Sequence, residues 1–222
     1  MCARFSLAAP ERIADRYPQF KLRRGWPRRY NIAPTQDVLA VRNDGAGEIA
    51  PLCWGLVPYW AKDLAIGQKL INARAETLAE KPAFRSALQR RRCIIFADGF
   101  YEWTGPKKDK QPYRFTVGDG APFAFAGLWE RWGCKDAPVT TCAIVTCAPN
   151  TLCAPLHDRM PAILDDGALD AWLHGDVGNA LETLVPFDAA RMRQTAVTPR
   201  MNQTAFEDPR CIEPVAVAAA LP

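Results

Sequence analysis

The chain has 222 residues, of which 49% are hydrophobic and 23% are charged, and this composition is typical of a single globular domain. No apolar run reaches the roughly 18–20 residues that a membrane span needs. We therefore expect no membrane contact and a cytoplasmic location. The net charge of +4 is too small to indicate a protein that binds nucleic acid through charge alone.

Short elements follow one another along the chain, separated by many of its 19 prolines and 14 glycines. Residues 10–20 predict a short helix, because proline suits the first helical turn. Residues 73–88 have helical character that Lys81-Pro82 interrupts, so they predict two short helices, and 165–174 and 179–185 predict two more. Apolar, β-branched and aromatic runs predict strands at 37–42, 48–54, 92–97, 111–117, 122–128 and 139–147.

This mixture predicts an α+β fold of one domain, in which an antiparallel sheet dominates and short helices flank it. We place the domain at 1–213 and expect 214–222, which is rich in small residues, to be a flexible tail. The eight cysteines form no Cys-x-x-Cys pair, and the two histidines lie 17 residues apart. The sequence therefore predicts neither a metal site nor a disulfide framework.

Cys2 directly follows the first methionine, which cellular aminopeptidases usually remove when the next residue is small. The mature chain would then begin with a cysteine whose α-amine and thiol stand on adjacent carbons. Such an amine, with a reference pKa of about 7.7–8.0, can condense with an aldehyde, and the thiol can then close a thiazolidine ring. On position alone, Cys2 is more often only a small residue near a terminus.

Three further polar segments interrupt apolar surroundings and contain candidate catalytic residues. Glu102 stands between Tyr101 and Trp103, where desolvation can raise the pKa of a carboxyl group toward neutrality, although an ordinary strand glutamate is as common there. His157 lies in a loop between two prolines and can carry protons near neutral pH, or can simply hold that loop. Both assignments stay open on local sequence.

Asn72 and Arg74 belong to the remaining polar segment. The amide of Asn72 can orient an amine or a sugar hydroxyl, but it can equally cap the helix that we predict to follow. Arg74 can hold a phosphate in its guanidinium fork, or it can pair with Glu76 or Asp98.

Basic and aromatic residues are interleaved in a pattern that suits phosphate contact and base stacking. Residues 21–30, 90–92 and 107–110 are basic clusters, and 54–60 contains three aromatic rings. Each cluster taken alone is also typical of a solvated surface, and we expect Trp54 to belong to the core.

Taken together, these segments resemble the SOS-response-associated peptidase (SRAP) family, whose members crosslink themselves to abasic sites in DNA. The resemblance covers nearly the whole chain and rests on many motifs in the family's order. They are residues 2–5 (CARF), 30–35 (YNIAPT), 54–58 (WGLVP), 71–77 (INARAET), 81–84 (KPAF), 92–93 (RC), 98–103 (DGFYEW), 125–130 (FAGLWE), 157–161 (HDRMP) and 197–202 (VTPRMN).

The resemblance implies a distorted antiparallel β-barrel flanked by short helices, and it implies a role for each site residue. Cys2, freed of Met1, is the nucleophile that forms a thiazolidine with the aldehyde of an abasic deoxyribose. Asn72 positions the cysteine amine and the sugar, and Glu102 and His157 carry protons.

The resemblance further implies that Arg4 and Arg74 hold phosphates, and that Pro34 and Trp60 stack at a junction between single strand and duplex. The implied partner is single-stranded DNA with abasic sites, and the captured lesion is protected during replication or repair. The protein is expected to be a monomer, associated with the nucleoid through DNA, and to need no metal or organic cofactor. One departure is Ala3, where the family usually has glycine, because alanine adds a methyl group beside the nucleophile.

Two alternative functions remain open from the sequence. A thiol peptidase or hydrolase could use Cys2, Glu102 and His157 on its own N-terminal residue. A non-catalytic module could bind single-stranded DNA without chemistry, in which case a Cys2→Ser variant would bind as the parent does. Formation of a covalent DNA adduct through Cys2 separates crosslinking from both alternatives.

Overall fold

The computed structural model of the chain describes residues 2–22, 25–44, 47–106, 109–133 and 138–216. Within them the chain forms fourteen strands and four short α-helices, together with several 3-10 turns. The strands are β1 Phe5–Leu7, β2 Lys21–Leu22, β3 Arg29–Ile32, β4 Asp37–Arg42, β5 Glu48–Trp54, β6 Asn72–Arg74, β7 Arg92–Ala97, β8 Gly99–Thr104, β9 Gln111–Val117, β10 Phe123–Trp132, β11 Val139–Cys147, β12 Met160–Pro161, β13 Ile163–Leu164 and β14 Met192–Ala196. The helices are α1 Arg12–Arg16, α2 Arg85–Arg90, α3 Leu169–His174 and α4 Val177–Glu182.

Five strands close into a barrel in the order β11-β10-β7-β4-β5. Neighbours in this series are antiparallel, and the ring is closed by a short parallel pairing in which Thr141 of β11 lies opposite Cys53 of β5. Strands β2, β6, β12 and β13 extend the sheet around this ring. The predicted α+β class and the distorted barrel with short helices are confirmed.

A second sheet, with the order β14-β9-β8-β1-β3, carries the N-terminal residues. Phe5 of β1 lies opposite Phe100 of β8, and both side chains are fully buried. The ring of Phe5 packs against Trp54 and Phe125 of the barrel, with ring centroids 5.1 and 5.8 Å apart. The core therefore lies between the two sheets and fixes the chain three residues after Cys2.

The strand predictions are confirmed with almost unchanged bounds, and the helices at 10–20, 165–174 and 179–185 appear as α1, α3 and α4. The helical prediction for 73–88 is wrong in its first half, where Asn72–Arg74 forms strand β6 and only a 3-10 turn follows. Strand β6 runs parallel to β11, with Asn72 opposite Ile144. This tertiary pairing overrides the local helical preference, so Asn72 caps no helix.

The C-terminal prediction is tested only in part, because Val217–Pro222 lie outside the described residues. Pro214 forms a bridge with Val197, and the Val215 N–H donates to the Ala196 carbonyl at 2.9 Å, so the described part of the proposed tail is attached to the domain. The boundary at 213 stays a prediction. In the part of the chain that the structure describes, no helix is long and apolar enough to cross a membrane.

Candidate active site

Cys2 is fully buried just before β1. The Asn72 side chain donates a hydrogen bond from Nδ2 to the Cys2 carbonyl oxygen at 2.7 Å, and the Cys2 thiol points to the Arg4 carbonyl at 3.7 Å. Met1 lies outside the described residues, and while it is attached the Cys2 nitrogen is part of a peptide bond. Thr35 is the only described residue other than glycine with a positive φ, so the backbone at Ala3 needs no glycine.

Burial raises the pKa of the Cys2 thiol far above its ordinary value, and the nearby Glu102 carboxylate adds to this effect. The thiol is therefore protonated at neutral pH. Chemistry at this sulfur requires a group that removes its proton as the bond to sulfur forms.

Glu102 can act as such a group. It lies on β8, the strand that pairs with β1, and its side chain is only 4% exposed. Burial raises the pKa of Glu102 from 4.5 to about 7. Both the protonated and the ionised forms are therefore well populated at neutral pH, which suits a residue that donates and accepts protons in successive steps.

His157 follows a tight turn, and its backbone N–H donates to the Cys153 carbonyl at 3.0 Å. Its ring nitrogen Nδ1 accepts a hydrogen bond from the Arg159 N–H at 3.0 Å and lies 2.7 Å from the Asp158 carboxylate. Burial lowers the pKa of His157, while Asp158, whose side chain is 84% exposed, opposes this change through solvent. We infer a neutral ring at pH 7, because burial disfavours the charged imidazolium.

The fold brings the four predicted catalytic residues into one site. The Glu102 carboxylate acts electrostatically on the thiols of both Cys2 and Cys153, and Asp158 acts in turn on Glu102. The turn at 151–156 that precedes His157 therefore lies beside Glu102 and Cys2. Cys153 is an additional buried thiol of this site that the sequence analysis did not single out.

The two predicted phosphate-binding arginines differ in their surroundings. The Arg4 guanidinium already donates to Asn31 Oδ1 at 2.6 Å and to the carbonyls of Met201 and Asn202 at 3.0 and 3.3 Å. Arg74 is exposed at the end of β6 and pairs with no described carboxylate. Neither carboxylate that the sequence offered as a partner forms an ion pair with Arg74, because Glu76 pairs with Arg159 and Asp98 pairs with Arg114.

The two predicted stacking residues lie on neighbouring surface turns. Pro34 is half-buried in the turn after β3, where the Thr35 N–H donates to the Trp54 carbonyl at 2.7 Å. Trp60 is 48% exposed in the loop that begins just after Trp54. The structure thus brings the two turns together at Trp54, which is buried in the core as predicted.

Arg159 is a site residue that sequence reasoning missed. It makes a bidentate ion pair with Glu76, at 3.0 and 2.9 Å, and donates from Nη2 to the Thr146 carbonyl at 2.5 Å. Its backbone N–H orients the ring of His157. Arg159 directly follows Asp158 in a segment already noted as polar, but no sequence signal connects it to Glu76, 83 positions earlier.

Within the described ranges no group of three or more His, Cys, Asp or Glu residues is arranged to hold a metal ion. The seven described cysteines are all free. The side chains that the site offers for chemistry are a buried thiol, a carboxyl group whose pKa lies near neutrality and an imidazole.

Comparison with known proteins places this chain in one family. The model of the SOS response associated peptidase (SRAP) family matches residues 1–204, so the chain belongs to that family. The abasic site processing protein YoqW of Bacillus subtilis is 42% identical over 224 residues, which cover 96% of this chain and 99% of the relative. The abasic site processing protein YedK of Escherichia coli is 33% identical, over 67% of this chain and 66% of the relative.

A crystal structure of a protein from Bacteroides thetaiotaomicron has the same fold. Its TM-score is 0.87 at 26% sequence identity, and the match covers 97% of this chain and 100% of the other. The architecture described above is therefore shared with a solved protein along nearly its whole length.

Proposed function

We propose that this protein processes abasic sites in single-stranded DNA by capturing them covalently through Cys2 once Met1 has been removed. The observation that carries the proposal is the buried Cys2, held by Asn72 and placed beside a carboxyl group whose pKa is raised to about 7. The relatives YoqW and YedK are named abasic site processing proteins, which supports the same substrate.

The first chemical step opens the sugar ring of the abasic deoxyribose. The bond between C1′ and O4′ breaks as the C1′ hydroxyl loses its proton and O4′ gains one, which yields the free aldehyde. In the proposed mechanism His157 assists this transfer, because a neutral imidazole can donate a hydrogen bond from its protonated nitrogen to the ring oxygen without carrying charge into the site.

The second step forms two bonds between Cys2 and the aldehyde carbon. The uncharged amine attacks C1′, and loss of one water molecule gives a Schiff base. The sulfur then attacks the same carbon while the thiol proton passes to nitrogen, which closes the five-membered thiazolidine. Glu102 accepts and returns protons in these transfers, and Asn72 holds the Cys2 carbonyl so that amine and sulfur face the same carbon.

The strongly raised pKa of the Cys2 thiol favours this route over a peptidase. Thiol peptidases keep a reactive thiolate, which requires a lowered pKa, whereas here burial raises it. In the proposed route the amine attacks first, so the sulfur needs to react only after the substrate is already attached.

The test uses purified protein with a free N-terminal Cys2, verified by mass spectrometry, and single-stranded DNA with one abasic site. A shifted band on a denaturing gel is expected, and it should be absent for Cys2→Ala and for intact DNA. A processed protein that gives no band would overturn covalent capture. Equal noncovalent binding by Cys2→Ser and parent, again without a band, would instead identify a simple DNA-binding module.

A further inference from the structure

Lys110 stands at the end of the hairpin loop that joins β8 to β9. Thr104 lies opposite Gln111 and Glu102 lies opposite Tyr113, so Lys110 directly precedes the strand that pairs with the strand of Glu102. Its side chain is exposed, and it forms no ion pair with any described residue. Lys110 is thus a cation beside the candidate site to which none of the catalytic, phosphate-binding or stacking roles above has been assigned.

The backbone of Lys110 is fixed by Asn202. The Asn202 side chain donates from Nδ2 to the Lys110 carbonyl at 2.9 Å, and its Oδ1 accepts a hydrogen bond from Trp103 Nε1 at 2.7 Å. A single amide therefore ties the loop of Lys110 to the residue next to Glu102. This arrangement holds the lysine at the edge of the site.

The charge of Lys110 reaches both proton carriers. Burial is the main influence on each, raising the pKa of Glu102 and lowering that of His157, and the α-amino group of the chain lowers both more than Lys110 does. Lys110 also lowers both, Asp158 raises both, and Arg159 lowers that of His157. The register of β8 and β9 and the hydrogen bonds of Asn202 place Lys110 at the edge of the site, within electrostatic range of Glu102 and His157.

We propose that Lys110 binds a phosphate group of the DNA strand next to the captured sugar. The inference rests on the proposed function and adds a binding residue to it. A strand that lacks a base offers only its sugar and its phosphates for recognition, and an exposed ammonium without an ion-pair partner matches a phosphate. Arg4 is already engaged by three protein oxygens, so Lys110 supplies a contact that Arg4 does not.

Binding of this phosphate also affects the chemistry of the site. A phosphate paired with Lys110 offsets the charge that lowers the pKa values of Glu102 and His157. Both groups therefore hold protons more tightly when DNA is bound, and by linkage DNA binding takes up protons near pH 7. Glu102 is thereby shifted toward its acid form, which can protonate the departing water during Schiff base formation.

The test measures noncovalent affinity in the Cys2→Ala background, for a single strand that carries a stable tetrahydrofuran abasic analogue, as a function of salt. Each phosphate contact on single-stranded DNA contributes about −0.7 to the slope of log affinity against log salt. We expect Lys110→Gln to make the slope less steep by about that amount and Lys110→Arg to retain the parent slope. Arg193→Gln, which removes one charge at the opposite end of β9 from Lys110, is the control and should leave the slope unchanged.

An unchanged slope in Lys110→Gln, or an equal loss in Arg193→Gln, would overturn the assignment, as would failure of the Cys2→Ala protein to bind the strand. Loss of slope in both Lys110→Gln and Lys110→Arg would indicate a disturbed loop and would also count against it. Because this assay is noncovalent, it is independent of crosslinking. A parent protein that forms no adduct would overturn the proposed chemistry, and the salt dependence of binding would still test the Lys110 assignment.

Discussion

Glu102 combines two properties that a carboxyl group rarely has together in a folded protein. It is nearly fully buried, and its pKa of about 7 leaves it half ionised at neutral pH. An ionised carboxylate in such a place is held at a cost in folding free energy, which proteins usually tolerate only where chemistry requires it.

We predict that Glu102→Gln slows crosslinking about a hundredfold, because the glutamine cannot carry a proton. The variant should also lose the change in rate that the parent shows as pH passes through about 7. Single-turnover crosslinking measured from pH 5.5 to 8.5 checks both expectations. A variant with the rate and pH profile of the parent would remove Glu102 from the mechanism.

The same substitution should change how stability depends on pH. Because the folded pKa of Glu102 lies above its unfolded value of 4.5, the folded state binds more protons between about 4.5 and 7. The contribution of Glu102 to the free energy of unfolding therefore decreases as pH rises through this window. We expect Glu102→Gln to gain on the order of 3 kcal/mol relative to the parent between pH 4.5 and pH 8. Urea unfolding at the two pH values measures the difference, and parallel curves would contradict it.

The loop that carries Trp60 is held at its base by two glycines in close contact. Gly55 has a φ of +136°, and a Cβ atom there would lie 2.7 Å from the Gly67 carbonyl oxygen. A Cβ on Gly67 would lie 2.5 Å from the Gly55 carbonyl oxygen in return. Farther along, Trp132 Nε1 donates to the Ala61 carbonyl at 2.7 Å. The exposed ring of Trp60 thus stands on a rigid base, which suits a stacking surface.

We predict that Gly55→Ala destabilises the protein by about 2–3 kcal/mol, because the methyl group adds a backbone clash to an unfavourable φ. The matched control is Gly120→Ala, where φ is +83° and the space around a Cβ atom is open. It should destabilise by only about 1 kcal/mol. Urea unfolding compares the two variants, and equal losses would show that the contact between Gly55 and Gly67 is unimportant.

The strands of the barrel could be predicted from sequence, while the short elements of the site could not. β7 and β11 are mostly apolar and mostly buried in the barrel, so their composition indicates strands. β6 has only three residues with helix-forming neighbours, and it is a strand solely because β11 pairs with it. Cys2, Glu102 and His157 could be named as candidates from their chemistry and the family resemblance, and their roles stay predictions. The pairing of Arg159 with Glu76 was not, because partners 83 positions apart leave no local signal.

At the scale of the whole molecule, Asn31 connects the N-terminal residues to the C-terminal segment. Its fully buried side chain donates to the carbonyls of Met201, Gln203 and Phe206 at 3.0, 3.1 and 2.9 Å, and it accepts from Arg4 at 2.6 Å. The three carbonyl partners lie at least 170 positions farther along the chain than Asn31. The segment around Met201 therefore helps to hold Arg4, and with it the residues around Cys2, in place.

We predict that Asn31→Ala destabilises the protein by about 2 kcal/mol, because it removes the side-chain donor to the Gln203 and Phe206 carbonyls and one of the three acceptors of Arg4. Amide hydrogen exchange should accelerate most at residues 198–206. The exposed Asn179→Ala in α4 is the control and should change stability by less than about 0.5 kcal/mol. Uniform acceleration over the whole chain, without a local effect at 198–206, would contradict the role of Asn31 as the connection.

The connection between Arg4, Asn31 and the segment near Met201 has a consequence for the order of events during biosynthesis. The first residues cannot reach their final place until Asn202 has left the ribosome, which takes roughly 10–40 s at about 5–20 residues per second. During this interval the N-terminus is still accessible to an aminopeptidase, whereas Cys2 is fully buried in the finished fold. Under the proposed function, the removal of Met1 therefore belongs to this interval of translation, and folding then encloses Cys2 as synthesis ends.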